Sequence, residues 1–95
     1  MNQRISNLRN KMKAQNLKAV LINNLKNVYY LTNFWGSNGT ALVTEERVVL
    51  FTDSRYTIHA HATCFPFVEI VETRDELTAA AEIVKDLGIR ELGFE

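Results

Sequence analysis

The chain has one cysteine, one proline, four glycines and no surplus of either charge across its 95 residues. Cys64 alone cannot close an internal disulfide, so a reducing cytoplasm is the default compartment. Eleven basic residues balance eleven acidic ones, which removes bulk charge as a route to nucleic acid or an anionic membrane. No apolar run approaches the roughly 20 residues of a membrane-spanning helix. The opening Met1-Asn2-Gln3-Arg4 lacks the apolar core of a signal peptide. Internal repeats, low-complexity tracts and linkers are absent as well. What remains is the length of one small domain, 46% hydrophobic, able to bury a modest core.

The informative stretch runs from Tyr29 to Tyr56. An aromatic-rich segment (Tyr29, Tyr30, Phe34, Trp35) enters a loop with Gly36 and Gly39. Two β-branched runs follow, residues 40–44 and 48–52, joined by Glu45-Glu46-Arg47; a three-residue connection suits a hairpin. The stretch closes on Asp53-Ser54-Arg55-Tyr56.

Around it the chain reads as alternating helices and strands. Residues 4–15 place Ile5, Leu8 and Met12 on one helical face, with Arg4, Arg9, Lys11 and Lys13 solvated around it. Asn16 ends this helix in a left-handed conformation. Residues 17–22 suit a strand buried on both faces. Residues 25–31 form a short helix or two turns, with Val28 and Leu31 inward; Tyr29 and Tyr30 cannot both face the core. A helix over residues 54–63 starts at Asp53 or Ser54, either of which can cap it. Pro66 punctuates the chain, and residues 65–71 read as a strand. Thr73 and Glu76 have capping-box spacing. The helix they start carries Leu77, Ala80, Ala81, Val84 and Leu87 on its buried face and ends at Gly88. Residues 91–94 give a last strand. This order predicts an α/β, three-layer domain: a mixed, mainly parallel sheet with one β-hairpin and helices on both faces.

Candidate sites are few. The Gly36-Ser37-Asn38-Gly39 loop lacks a P-loop lysine, fits no dinucleotide spacing and precedes a strand, so a tight turn needing positive φ is the better reading. His59 and His61 sit two apart on a helix, about 200° apart, and cannot share one ion. Cys64 has no evident base partner and reads as a structural thiol. Asp53, Arg55 and Tyr56 have two readings. In one, Asp53 caps the helix, Tyr56 packs and Arg55 pairs with an acid. In the other, Arg55 sits at a subunit boundary, where its planar fork grips a carboxylate. Phe34 reads as core; Trp35, beside the glycine loop, reads as partly exposed and suited to an interface or substrate pocket.

The run Y-L-T-N-F-W-G-S-N-G-T, followed by T-D-S-R-Y, resembles the amino-terminal domain of the creatinase/prolidase family, whose pattern is roughly Y-L-T-G-F-x-G-S-x-G, a hairpin, then D-x-R-Y. Bacterial Xaa-Pro dipeptidases and aminopeptidases P are the members it is most similar to. Arg4, Leu8, Met12, residues 17–21 and the ending Leu92-Gly93-Phe94-Glu95 fit the same pattern. Asn33 departs from it, standing where glycine is frequent; asparagine tolerates a left-handed backbone. The resemblance implies the family's ribonuclease H-like fold and a domain, residues 1–95, that continues for some tens of residues before a separate catalytic metallopeptidase domain. It implies an enzyme that cleaves the bond before proline in peptides, as a homodimer, with two divalent, Mn-type metal ions held in that other domain. This chain would then be catalytically silent and cofactor-free, serving dimerisation and the shaping of the partner's pocket. A creatinase-like amidinohydrolase and a free-standing assembly module are the alternatives.

Overall fold

The computed structural model describes residues 3–94. Glu95, the last residue of the family-like ending Leu92-Gly93-Phe94-Glu95, and the opening Met1-Asn2 lie outside the described residues. The element order is α1 (Gln3–Ala14), β1 (Ala19–Ile22), α2 (Leu25–Thr32), β2 (Thr40–Thr44), β3 (Val48–Thr52), α3 (Thr57–Thr63), β4 (Glu69–Glu72), α4 (Glu76–Asp86) and β5 (Gly93–Phe94). The strands form a sheet in the order β4-β3-β2-β1-β5.

Alternation along the strands splits the core into two layers. Val20, Ile22, Ala41, Val43, Val48 and Leu50 face α1, α2 and α3, meeting Ile5, Met12, Val28, Leu31 and Ala60. Ala19, Leu21, Leu42, Val49 and Phe51 point the other way, against Ala80 and Val84 of α4. Every residue of β1, β2 and β3 is buried, as strands covered on both faces must be. The α/β class, the mixed sheet and the three layers are therefore as the sequence predicts.

The parallel share is smaller than expected. β3–β4 and β1–β5 are parallel, while β1–β2 and β2–β3 are antiparallel, so parallel pairs are half rather than most. The reason is the connection after β1. The chain leaves β1 and enters β2 at the same end of the sheet, since Ile22 pairs with Ala41. A parallel neighbour would need a crossover back along the sheet.

Local chemistry sets most boundaries where the sequence places them. Asn16 adopts φ 59° after α1, and Leu17 N–H returns to Met12 O at 2.8 Å. Asn24 caps α2, its side chain accepting from Lys26 N–H and Asn27 N–H. Gly88 follows α4 at φ 71°, where only glycine is unstrained. Tyr29 and Tyr30 are both exposed, and Arg4 lies 4.4 Å above the Tyr30 ring.

Four expectations need correction. α3 begins at Thr57, not at residue 54, and its N-cap, Tyr56, makes no side-chain cap bond; the Asp53 carboxylate is occupied elsewhere. β4 begins at Glu69, because Pro66 and Phe67 turn the chain and Val68 N–H bonds Phe65 O at 3.0 Å. α4 is capped by Asp75, whose side chain accepts from Thr78 N–H. The Thr73–Glu76 box does not form: Thr73 N–H already bonds Thr52 O, and the Glu76 carboxylate accepts from Thr40 Oγ1. Finally, Leu77, Ala81 and Leu87 are exposed. The buried stripe is Ala80 and Val84, flanked by Ala79 and Ile83, since small residues let the helix sit close to the sheet. The basic face of α1 is less idle than expected too: Arg9 Nε donates to Thr44 O at 2.9 Å and ties α1 to the hairpin end.

Candidate functional site

Two connections meet at one end of the sheet: the loop over residues 33–39, between α2 and β2, and the turn over residues 53–56, between β3 and α3. They are laced together by side chains from both.

The loop starts with a fixed change of direction. Thr32 Oγ1 donates to Val28 O and accepts from Phe34 N–H. Asn33 takes the left-handed C-cap position at φ 67°, and its amide donates to Thr63 O at 2.8 Å. Asparagine thus sustains this turn in place of glycine. Phe34 then plunges into the core, 1% exposed; a buried phenylalanine resists truncation by about 3–5 kcal/mol.

Phe34 explains the two glycines. A Cβ on Gly36 would lie 2.8 Å from Phe34 Cζ and 3.2 Å from Tyr56 Cδ1, and one on Gly39 would lie 2.8 Å from Phe34 Cε2. Neither glycine has positive φ. The expected left-handed requirement is therefore replaced by close approach: the loop backbone lies against an aromatic ring where no side chain fits.

Trp35 stands between these anchors and remains 64% exposed. Its carbonyl is 3.0 Å from His59 Nε2, and its ring meets the His59 ring edge-on, centroids 5.1 Å apart. His59 also meets Phe34, at 5.9 Å.

The turn is organised by Asp53. Its carboxylate accepts from Arg55 N–H at 2.9 Å, Arg55 Nε at 3.0 Å, Arg55 Nη2 at 2.8 Å and Asn38 Nδ2 at 2.9 Å. Bonding to the Arg55 side chain, then to Asn38, holds this carboxyl well below the usual carboxylate range. The same pair raises the Arg55 pKa. Only 17% of the Asp53 side chain is exposed against 68% of Arg55, so the acid faces the loop and the cation faces outward. Arg55 also lies 5.2 Å from the Tyr56 ring centroid. Tyr56 packs edge-on against Phe34 at 6.0 Å, and its phenol hydrogen-bonds Ser37 Oγ, which lowers the phenol's pKa. Thr52 Oγ1 adds a bond to Asn38 O at 2.7 Å.

The five residues singled out from sequence, Phe34, Trp35, Asp53, Arg55 and Tyr56, are thus joined in one cluster. Asp53 holds Arg55 and Asn38 rather than a helix N-terminus. Ser37, Asn38 and His59 also belong to it. Ser37 matches the serine of the family pattern, but nothing in the sequence distinguishes Asn38 from an ordinary turn residue, and the partners of both lie 15 or more positions away. Cys64 is half-buried; burial pushes its thiol up to about 11 against an opposing bond with Thr32. Among the described residues there is no group of three His, Cys, Asp or Glu side chains able to hold a metal ion, and no helix is long and apolar enough to cross a membrane. Chemically, the cluster presents a rigidly based indole and an outward guanidinium.

Comparison with known proteins places this architecture. The profile of the Creatinase/Prolidase N-terminal domain matches residues 4–95. An Xaa-Pro aminopeptidase structure from Streptococcus pyogenes is 42% identical with a TM-score of 0.91, over 97% of this chain and 70% of that one. The N-terminal domain of the cytoplasmic peptidase PepQ from Mycobacterium tuberculosis H37Rv is 38% identical with a TM-score of 0.93, over 100% of this chain and 74% of that one. The Bacillus subtilis protein described as uncharacterized peptidase YqhT is 36% identical over 93 residues, 97% of this chain and 26% of its own. The chain spans 26% and 20% of the lengths of two curated relatives it matches. With the matched profile and the shared fold in agreement, the chain belongs to the creatinase/prolidase N-terminal domain family.

Proposed function

We propose that residues 1–95 form the amino-terminal domain of a proline-specific metallopeptidase, an Xaa-Pro dipeptidase or aminopeptidase P acting in the cytoplasm. In this reading the domain dimerises and contributes Trp35 and Arg55 to the partner subunit's substrate pocket. The observation that carries it is Trp35: a large apolar side chain, 64% exposed, on a loop whose flanking residues are pinned by Phe34, Ser37 and Asn38. A protein does not ordinarily brace a loop in order to display an unused indole to water. Trp35 would form an apolar wall beside the proline-containing peptide. Arg55, whose Nε and Nη2 are held by Asp53, keeps the other edge of its fork for a carboxylate.

The residues here do not fit the two divalent metal ions such a reaction uses, for no cluster of ligands exists among the described residues. No step of peptide hydrolysis is assigned to this chain; its work is assembly and the exclusion of wrongly shaped peptides. The test is made on the complete protein. Sedimentation with and without residues 1–95 should show loss of the dimer on deletion. Trp35→Ala and Arg55→Ala should each lower kcat/KM for Xaa-Pro peptides about tenfold at unchanged thermal stability. A dimer that survives the deletion, or variants that lose stability while turnover per folded molecule is unchanged, refutes the reading.

A further inference from the structure

We infer that His59 is a positioning residue for Trp35, fixing the direction in which the indole leaves the loop. Its value to the peptidase rests on the pocket-wall reading above, but the positioning itself does not.

The argument begins with what an exposed tryptophan lacks. A side chain two-thirds in water samples its rotamers on the picosecond-to-nanosecond scale unless something restrains it. Trp35 meets one ring, His59, edge-on at 5.1 Å with an interplanar angle of 86°. The Trp35 carbonyl oxygen lies 3.0 Å from His59 Nε2. Because a carbonyl only accepts, Nε2 carries the proton in this pair. One imidazole therefore fixes the Trp35 peptide plane through a hydrogen bond and limits the indole through ring contact. The imidazole is itself held, resting against Phe34 at 5.9 Å from within α3, whose Ala60 is fully buried. His59 and His61, too far apart around the helix to share an ion, also differ in surroundings, as His61 is exposed on another face of α3.

The chain contains one tryptophan, so its indole fluorescence reports position 35 without labelling. Time-resolved anisotropy of the 95-residue chain is the direct measurement, with circular dichroism confirming the fold. His59→Phe keeps an aromatic ring and removes the N–H. The amplitude of its sub-nanosecond component should rise roughly twofold or more. His59→Gln restores an N–H donor and should return the amplitude toward wild type, and His61→Ala should leave it unchanged. If His59→Phe is as quiet as wild type, or His59→Gln as mobile as His59→Phe, the inference is overturned. In the complete enzyme, His59→Phe should raise KM for an Xaa-Pro peptide several-fold at constant kcat, with no further loss when combined with Trp35→Ala. A changed anisotropy with unchanged KM would leave His59 as the positioning residue and refute the pocket-wall reading instead.

Discussion

Gly39→Ala separates two explanations of the glycine loop. If Gly39 were needed for a left-handed backbone, the damage would be local and indifferent to Phe34. The geometry says otherwise: an added Cβ meets Phe34 Cε2 at 2.8 Å, Phe34 Cδ2 at 3.2 Å and Leu50 Cδ1 at 3.6 Å. Ordinary carbon contacts begin near 3.5 Å, so the ring must retreat by about 0.7 Å. Phe34 is 1% exposed and flanked by Tyr56 and His59, so it has little room to retreat. Overpacking of this kind costs about 1–3 kcal/mol. Replacing glycine also stiffens the unfolded chain, which offsets roughly 0.4–1 kcal/mol. The net loss is then about 1–2 kcal/mol, a fall in Tm of about 5–15 °C for a domain of this size. Urea denaturation followed by far-ultraviolet circular dichroism reads it as a lower midpoint at constant m-value. The decisive arm adds Phe34→Leu, which removes the clashing ring carbons. The double variant should be less destabilised than the sum of the singles by more than about 0.5 kcal/mol. Strict additivity, or a Gly39→Ala midpoint at or above wild type, would show that the ring contact is not why glycine is there.

Two further outcomes follow from the titrating groups. The folded-state pKa of Asp53 lies below its unfolded value, so its stabilising contribution is complete above the unfolded carboxylate pKa and is lost as pH falls from about 4 downward. Urea midpoints measured down that range should fall more steeply for wild type than for Asp53→Asn, while Glu69 and Asp75, lowered in the same direction, act alike in both; parallel curves would contradict the Asp53 assignment. Cys64, with its thiol pushed up to about 11, should react with a disulfide reagent at pH 8 roughly a hundredfold more slowly than an ordinary thiol, regaining the ordinary rate in denaturing urea; equal rates in both states would contradict it.

The parts of the fold written in local patterns were legible in the sequence. Continuous apolar runs announced β1, β2 and β3, and Glu45-Glu46-Arg47 announced the hairpin. Asn16, Asn33 and Gly88 stand where the backbone turns left-handed. The parts decided by tertiary competition were not. Thr73 looked like a cap, but its N–H bonds Thr52 O instead. The apolar face expected of α4 is buried at Ala80 and Val84, but the contact extends to Ala79 and Ile83 rather than to Leu77 and Leu87. Asp53 looked like a helix cap, but Arg55 and Asn38 claim both of its oxygens. Those choices depend on residues far along the chain, which periodicity does not carry. The same holds for His59, whose importance lies in a carbonyl 24 positions away.

The loop over residues 33–39 divides its labour by position, and this has a consequence for how the protein can change. Phe34, Gly36, Ser37, Asn38 and Gly39 all answer to the interior or to the neighbouring turn, so drift at any of them is penalised through folding. Trp35 answers chiefly to His59, through one ring contact and its backbone carbonyl, while most of its side chain lies in water. Selection on the side chain at codon 35 is therefore only weakly tied to selection for stability. A lineage can exchange the indole for a smaller or charged group and keep the scaffold that aims it. The same property makes position 35 the natural point to randomise in a library intended to alter what this loop meets.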